Sequence, residues 1–254
     1  MTKILAIIQA RMNSTRLPNK VLTKVQEIPI LEHIINRVRL SKIDEIIVAT
    51  TEDNSDDAIE KFCLNKNIQF FRGDENNVLK RFYDCAKIYK GDIIVRITAD
   101  DPFKDPKIIN RAINLLENGA FDYVSNTIVP TFPEGIDIEV FTFTSLEKAY
   151  LNASLISEKE HVTPYIWKNP DKFRIDNFKH HMNLSNLRWT LDTKQDLEFT
   201  IEIYNRLYNK NKLFYMEDIL DLLKKEPTLL TINQGYTRNL GYLKSLDIEN
   251  EKNN

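Results

Sequence analysis

Short apolar runs alternate with longer amphipathic segments between residues 3 and 117. Runs rich in Ile and Val predict buried strands at 3–9, 45–49, 68–71 and 92–97. Apolar residues at helical spacing predict helices at 30–39, 56–65, 78–89 and 106–117. This alternation is typical of a parallel sheet covered on both faces by crossover helices. We therefore predict an α/β fold whose ligand crevice lies at the carboxyl ends of the strands.

The pattern changes after residue 119. Strands are predicted at 121–125, 136–141 and 186–190, with helices at 144–152 and 159–168. They predict an α+β lobe inserted at about residues 120–185, in which 176–181 form a strand that pairs with a second subunit. Helices are predicted at 196–208 and 216–225. A single domain then covers residues 1–245, followed by a polar tail, 246–254, whose last six residues, ENEKNN, are predicted to be disordered.

Composition excludes several classes of protein. The chain has 35 basic and 37 acidic residues, whereas a dedicated nucleic-acid binder carries a basic excess, so no nucleic-acid partner is expected. No apolar run approaches the roughly 18 residues that a membrane span needs. The first apolar stretch is too short for a signal peptide and leads into polar residues, which indicates a soluble, cytoplasmic protein without a membrane partner. Cys63 and Cys85 show no metal-ligand spacing and are expected to pack in helices.

The loop after the first strand carries the strongest chemical signal. In AIIQARMNSTRLPNK, a buried strand leads into a loop with the cations Arg11, Arg16 and Lys20. Arginine forks and a lysine point charge suit a polyphosphate, and the Ser14 and Thr15 hydroxyls supply further donors. The loop lacks the glycine spacing of a Walker A motif, so side chains would hold the phosphates. The alternative is a basic loop that forms ion pairs with nearby acids.

Two acidic segments follow strands that end at the same crevice. Asp100 and Asp101 follow a buried strand in VRITADDPF, where Mg²⁺ would take one or two carboxylates together with phosphate oxygens and water. In RWTLDTKQDLEF, Asp192 ends a predicted strand before a helix. Either Asp192 or Thr193 could instead cap that helix, and the Asp-Asp-Pro turn could likewise be a capping device.

The basic loop resembles that of the sugar-activating cytidylyltransferases, whose pattern is Ala-Arg-x-x-Ser-x-Arg-x-Pro-x-Lys. The matching residues are Ala10, Arg11, Ser14, Arg16, Pro18 and Lys20. The segments RGDENNVLKRF, ITADDPF, EGIDIEVF, EHVTPYI and RWTLDTKQDLEF are similar, along nearly the whole chain, to the branch called spore-coat polysaccharide biosynthesis protein F-like. Asn13 and Asn19 stand where glycine is usual, and asparagine is the next residue most tolerant of positive φ.

The resemblance implies a Rossmann-like nucleotide-diphospho-sugar transferase fold of the GT-A type, a mixed sheet flanked by helices. It implies transfer of CMP from CTP to a sugar, with release of pyrophosphate, in surface-polysaccharide or glycan biosynthesis. The implied acceptor is a 3-deoxy keto sugar acid such as a nonulosonic acid, and the implied assembly is a homodimer.

The resemblance also assigns roles to residues of the crevice. Asp100 and Asp192 are the implied Mg²⁺ ligands. Arg11, Arg16, Lys20 and Asp100 are the expected catalytic residues, because positioning and charge neutralisation supply most of such catalysis. The expected nucleotide contacts are Gln9, Ala10, Arg11, Ser14, Arg16, Lys20, Thr50 and Thr98.

Acceptor contacts are expected from residues 134–139, 160–161 and 188. Asp137 and Glu139 would share one face of a strand, near Glu134, and would bind sugar hydroxyls. His161, beside Glu160, is a proposed acceptor or proton-transfer residue, and Arg188 could bind an acceptor carboxylate bidentately. A solvated strand face and a structural histidine are the alternatives.

Three other functions compete with cytidylyl transfer. The chain could use another nucleotide or a phosphorylated acceptor, and base selectivity would distinguish that reaction. It could be a GT-A glycosyltransferase, although Asp-Asp-Pro does not reproduce the Asp-x-Asp metal spacing. It could also be a nucleotide-binding module without activity, which the acids at 100 and 192 disfavour.

Overall fold

The structure is a computed structural model that describes residues 2–14 and 16–252. Its strands are β1 (Ile4–Gln9), β2 (Lys24–Val25), β3 (Ile28–Pro29), β4 (Glu45–Thr51), β5 (Gln69–Gly73), β6 (Ile93–Thr98), β7 (Tyr123–Ser125), β8 (Glu139–Thr142) and β9 (Ile175–Asn177). Seven of them form one sheet in the order β5-β4-β1-β6-β8-β7-β9. β8 runs antiparallel to both of its neighbours, and the other four pairs of the sheet are parallel, so the sheet is mixed.

The four parallel pairs join β1 to both β4 and β6, β4 to β5, and β7 to β9. The two antiparallel pairs are β6 with β8 and β7 with β8. The predicted mixed sheet of the α/β class is confirmed. Since β1, β4 and β6 are parallel neighbours, the loops that follow them leave the same edge of the sheet, and that edge holds the site described below.

Ten helices lie among the described residues. They are α1 (Ile30–Val38), α2 (Asp57–Asn65), α3 (Val78–Ile88), α4 (Pro106–Gly119), α5 (Phe143–Asn152), α6 (Ile156–His161), α7 (Pro164–Trp167), α8 (Lys194–Leu207), α9 (Met216–Lys225) and α10 (Leu240–Lys252). Alternate residues of β1 belong to two core clusters: Ala6 and Ile8 pack with α1, α4 and α8, whereas Leu5 and Ile7 pack with α3 and α5. Helices therefore cover both faces of the sheet, as its Ile- and Val-rich strands predict.

Most predicted elements are found within one to three residues of their expected ends. The segment 120–185 contributes three strands to the same sheet and three helices beside it. Cys63 and Cys85 are buried free thiols in α2 and α3, and burial raises the pKa of Cys63 to about 12. Within the described part of the chain, no helix has the length and apolarity needed to span a bilayer.

Three element predictions were wrong, and a fourth was found in part. Residues 186–190 form one isolated bridge, between Arg188 and Glu134, because their apolar positions are buried by loop packing and not by a ladder. The helix predicted at 159–168 is broken at Val162, whose φ is 71°, before Pro164. The strand expected at 176–181 is present as the shorter β9, which pairs with β7 of its own chain and lies at the edge of the sheet, so its pairing with a second subunit stays a prediction. The predicted disordered tail is helical through Lys252, and residues 253–254 lie outside the described residues.

Candidate active site

A lysine lies between two aspartates that come from distant parts of the chain. Lys20 Nζ is 2.7 Å from Asp100 Oδ2 and 2.7 Å from Asp192 Oδ1. Lys20 begins a short 3₁₀ turn, and the residue before it, Asn19, has a φ of 61°. Asparagine thus adopts the left-handed conformation at a position where glycine is usual in the family resemblance. The turn directs the lysine from the β1 loop toward the two acids.

The two acidic loops are joined to each other as well as to the basic loop. The Leu191 N–H donates to the Asp100 carbonyl oxygen at 2.7 Å. Arg16 Nη2 lies 3.0 Å from Asp192 Oδ2. The structure therefore brings Arg16, Lys20, Asp100 and Asp192 into one cluster, as their positions after parallel strands predict. The two cations form ion pairs with the two acids, which is the alternative that the sequence left open.

Opposite charges keep this cluster ionised. Burial lowers the pKa of the Lys20 ammonium, but the charges of Asp100 and Asp192 and their hydrogen bonds outweigh it, so the pKa is raised. Burial likewise raises the pKa of Asp100, and Lys20 more than reverses that effect. A buried ammonium between two carboxylates marks a place where the fold stabilises a cation.

The donor set at this place fits Mg²⁺. Two carboxylates that converge on one point leave the remaining positions of an octahedron for water and phosphate oxygens, which is the usual manner of Mg²⁺ binding. Among residues 2–14 and 16–252, no cluster of three or more His, Cys, Asp or Glu side chains is placed to form an all-protein metal cage. Asp100 and Asp192 are thus the residues that could hold Mg²⁺ with the help of a nucleotide.

Asp192 is free for this role because its neighbour caps the helix. The Thr193 side chain accepts from the Asp196 N–H at 3.2 Å, and the Asp196 side chain accepts from the Thr193 N–H at 2.9 Å. These reciprocal bonds form a capping box at the start of α8. The capping alternative therefore applies to Thr193, and the Asp192 carboxylate points to Lys20 and Arg16.

Arg188 holds the loop that carries Asp192. Its guanidinium contacts Asp196 at 2.9 Å, Glu134 at 2.8 Å and Asp192 at 3.4 Å. Burial lowers its pKa, but hydrogen bonds and the charge of Asp196 outweigh that effect and raise it. Asn233, which the sequence did not single out, donates to Asp196 at 3.0 Å. Arg188 lines the cavity as expected, yet three carboxylates already engage it.

A cavity of about 380 Å³ opens beside this cluster. Nine predicted site residues line it. They are Arg16, Thr98, Asp100, Glu134, Asp137, Glu139, His161, Arg188 and Asp192. The predicted nucleotide and acceptor sides of the site therefore meet at one cavity.

Glycine lets the acceptor side approach the metal side. Gly135 has a φ of 103°, and a Cβ built there would lie 2.6 Å from the Trp189 carbonyl carbon. The Trp189 N–H donates to the Glu134 carbonyl oxygen at 2.7 Å. Any larger residue at 135 would separate the EGIDIEVF segment from the RWTLDTKQDLEF segment.

Each predicted acceptor acid has a cationic partner. Glu139 is buried and accepts from Arg96, Tyr123 and Thr163, and its pKa is lowered because Arg96 and these bonds outweigh burial. Asp137 pairs with Arg238. Burial raises the pKa values of both Asp137 and Glu134. These acids remain hydrogen-bond acceptors at the cavity surface.

Asp101 does not act as a second metal ligand in this geometry. Its Oδ2 accepts from Lys104 Nζ at 2.8 Å, and Lys104 is only 1% exposed. Burial raises the pKa of Asp101 to about 6 despite this charge. Lys104, Arg96 and Arg238 were not among the predicted site residues, although Arg96 lies in the segment VRITADDPF that pointed to Asp100 and Asp101.

Several residues predicted to contact the nucleotide do not line this cavity. Gln9, at the end of β1, accepts from Arg96 Nε at 3.1 Å, and Arg11 is exposed beside it, whereas Ala10 is buried. Thr50 is fully buried, and its Oγ1 has no partner within the described residues. Ser14 is half-buried, and Thr15 lies outside the described residues.

A second arginine lies near Arg11. Arg81, in the RGDENNVLKRF segment, is 3% exposed and donates to the Asp74 carbonyl oxygen at 2.6 Å. Burial and then the charge of Arg11 lower its pKa to about 10. The two guanidinium groups form a basic pair next to the loop after β1, and sequence reasoning named only Arg11.

Comparison with known proteins decides the family. A family model described as "Cytidylyltransferase" matches residues 5–225. The chain belongs to the cytidylyltransferase family. It is 33% identical to the spore coat polysaccharide biosynthesis protein SpsF of Bacillus subtilis over 91% of this chain and 98% of that one. It is 41% identical to an uncharacterised protein of Methanocaldococcus jannaschii, over 92% and 95% of the two chains.

A solved structure supports the same assignment. A cytidylyltransferase from Leptospira borgpetersenii superposes with a TM-score of 0.86 at 35% identity, over 93% of this chain and all of that one. The predicted GT-A-like nucleotidyltransferase fold is therefore confirmed, and so is the predicted class of enzyme. The chain is thus a CTP-utilising nucleotidyltransferase. The cluster around Lys20 lies inside the residues that the family model matches.

Proposed function

We propose that this cytidylyltransferase transfers CMP from CTP to a hydroxyl of a sugar acid in a Mg²⁺-dependent reaction that releases pyrophosphate. One observation carries the proposal: Lys20 Nζ lies 2.7 Å from both Asp100 and Asp192, and these two acids line a polar cavity. The site thus combines a cation-binding pair of acids, cations for a triphosphate and room for an acceptor.

Arg16 and Lys20 exchange partners when the nucleotide binds. In the structure they form ion pairs with Asp100 and Asp192. Mg²⁺, when bound by these two acids, would supply positive charge at the α-phosphate. Lys20, Arg16 and Arg11 are then free to pair with the β- and γ-phosphates and to stabilise the charge that develops on pyrophosphate.

Bond making and breaking need no nucleophilic side chain. The acceptor oxygen attacks the α-phosphorus in line, the bond to the bridging oxygen of the β-phosphate breaks, and the hydroxyl proton passes to water. The cavity residues orient the acceptor for this displacement. Arg188 acts through Asp192, since it fixes the loop on which that acid lies.

The acceptor side suits a hydroxylated acid. Glu134, Asp137 and Thr190 line the cavity with acceptors for sugar hydroxyls. Arg96 replaces Arg188 as the residue for the acceptor carboxylate: its Nε and Nη1 are bonded to Gln9 and Glu139, and its Nη2 has no partner among the described side chains. A 3-deoxy keto sugar acid offers both groups. The name of the Bacillus subtilis relative supports a role in surface-polysaccharide biosynthesis.

The proposal includes a homodimer in the cytoplasm, the compartment that supplies CTP. β9 is an edge strand of the sheet and offers a surface for a second subunit. Light scattering on the purified full chain measures the assembly directly: a mass of about 60 kDa supports the dimer, twice the 29.8 kDa of one chain. A mass equal to one chain removes the dimer from the proposal.

Pyrophosphate release tests the reaction itself. The native protein is incubated with CTP and Mg²⁺, and with 3-deoxy-manno-octulosonate, N-acetylneuraminate, a neutral hexose or a hexose 1-phosphate as the acceptor. Release that depends on a sugar acid supports the proposal. Release with only the sugar phosphate would replace it by the formation of a nucleoside diphosphate sugar, and Asp100→Asn is the inactive control.

A further inference from the structure

The carboxyl-terminal segment supplies one wall of the acceptor cavity. The cavity is lined by residues between 16 and 192 and by five residues of this segment: Thr237, Asn239, Leu240, Gly241 and Tyr242. This segment begins after residue 225, where the match to the family model ends. The cluster proposed to bind CTP and metal lies inside the match, whereas this wall lies outside the matched residues.

Polar contacts join this segment to the acceptor residues. The Asn239 N–H donates to Glu134 Oε1 at 3.0 Å, and Arg238 donates to the Phe132 carbonyl oxygen at 3.0 Å and to Asp137. Glu134 and Asp137 are therefore oriented by the same segment that closes the cavity. A change in the segment would move two of the groups proposed to bind sugar hydroxyls.

An aromatic corner forms where the segment meets α6 and α7. The Tyr242 ring centroid is 5.8 Å from that of Trp167 and 5.3 Å from that of His161. Lys168 lies over both Tyr242 and Trp167. Aromatic walls with a few polar groups are typical of pockets that bind small ligands, and here they face carboxylates across the cavity.

Polar contacts also hold α10 in place. Ser245 Oγ donates to Glu160 at 2.6 Å, and Glu249 accepts from the Ser157 N–H at 2.5 Å. Leu243 and Ile248 on the same helix are 41% and 45% exposed. Few apolar contacts and several polar ones are typical of an element that opens more readily than the core.

We propose that residues 237–242 select the acceptor of this cytidylyltransferase, with Tyr242 as the specificity-determining side chain. The inference rests on the proposed function, because it assigns the sugar acid to the cavity under this wall. Tyr242 would contact the apolar C–H face of the sugar acid while Glu134 and Asp137 bind its hydroxyls.

Steady-state kinetics with the same two sugar acids test the proposal. Tyr242→Ala is expected to raise KM for the sugar acid roughly fivefold or more, the loss of one aromatic contact, and to leave KM for CTP within about twofold. Tyr242→Phe keeps the ring and restores the native KM. Leu243→Ala, one residue along on the exposed side of α10, is the matched control. An unchanged KM for the sugar acid in Tyr242→Ala, or equal changes for CTP and sugar acid, would overturn the proposal.

Failure of the proposed function has a different signature. If the native protein turns over neither sugar acid, amide hydrogen exchange of residues 240–252 is measured with CTP, Mg²⁺ and each acid in turn. If these amides become protected only when the sugar acid is present, the result supports contact between this segment and the acid even without turnover. Equal exchange with and without each acid would overturn the proposal that this segment selects the acceptor.

Discussion

Lys20 donates a hydrogen bond to Asp100 across 80 residues of chain, and the two atoms lie 2.7 Å apart. Lys20 follows β1 and Asp100 follows β6, which are parallel neighbours in the sheet. The same ammonium contacts Asp192, 172 residues away. In the proposed complex, Mg²⁺ would take the place of the ammonium beside Asp100 and Asp192, and the phosphates of the nucleotide would take the place of the two acids beside Lys20. The residues of the cluster would therefore change partners when the nucleotide binds.

Asp100→Asn is expected to reduce turnover on the order of 100-fold or more, because the variant keeps the shape but loses one charge of the metal pair. CTP binding should weaken by a smaller factor, since Arg16 and Lys20 remain. Initial rates of pyrophosphate release and CTP titrations separate the two effects. Asp53→Asn is the control, because Asp53 caps a surface turn. A native rate in Asp100→Asn would exclude a metal role for this acid.

Lys20→Met should have opposite effects on CTP and on Mg²⁺. CTP affinity is expected to fall about tenfold, because a phosphate partner is lost. Asp100 and Asp192 then lose the ammonium that lies between them, while Arg16 still contacts Asp192. Mg²⁺ alone should therefore bind more tightly and raise the melting temperature more than it does in the native protein. Calorimetric titration with MgCl₂ and with CTP measures both. Lys24→Met, an exposed lysine of the same segment, should change neither affinity.

Arg188→Gln should destabilise the fold by about 3 kcal/mol or more, because it leaves the fully buried Asp196 carboxylate without its guanidinium partner. Arg206→Gln breaks ion pairs with Glu202 and Glu226 that are about one-third exposed, and should cost less than about 1 kcal/mol. Urea denaturation of the two variants gives the comparison. Similar losses in both would show that Arg188 does not organise the loop of Asp192.

The strands and acids that form the site were predictable from the sequence, whereas the arginines that lie beside the predicted site residues were not. Ile- and Val-rich runs gave β1, β4 and β6 nearly to the residue, and placing acids after strands brought Asp100 and Asp192 to one edge. Arg96 and Arg81 lie within regular elements, where nothing in the local pattern separates them from solvated arginines. Only the three-dimensional fold buries them beside Gln9 and Arg11.

Loop packing explains the errors in the second half of the chain. Leu187, Trp189 and Leu191 alternate as in a strand, but they pack around the close approach at Gly135. α10 has no clear apolar face, and its last residues, from 249 on, were predicted to be disordered, yet Ser245 and Glu249 attach it to α6 through polar contacts. Contacts between residues more than 80 positions apart leave no periodic signal in the sequence.

His161 should make stability depend on pH below neutrality. Burial lowers the pKa of His161 from its ordinary value of 6.5 to about 4, with Arg96 and Arg11 adding to the effect and Glu160 and Glu139 opposing it. The neutral ring is therefore favoured by folding: this contribution is complete above pH 6.5 and is lost as the pH falls toward 4. When the pH falls from 7.5 to 5, the free energy of unfolding of the native protein should decrease by on the order of 2 kcal/mol more than that of the His161→Gln variant.

Urea midpoints at the two pH values measure this difference. His181→Gln makes the same chemical change at an exposed position and should follow the native protein. A native protein and a His161→Gln variant with equal losses would show that His161 is protonated as readily in the folded chain as in the unfolded one.

The most direct test of the central claim is calorimetric titration of CTP into the native protein and into the double variant Asp100→Asn/Asp192→Asn, each with and without Mg²⁺. The account predicts that Mg²⁺ strengthens CTP binding to the native protein by at least about tenfold and has no such effect on the double variant. It also predicts weaker binding of UTP, GTP and ATP to the native protein. CTP binding that responds equally to Mg²⁺ in both proteins would contradict the claim that Asp100 and Asp192 hold the metal.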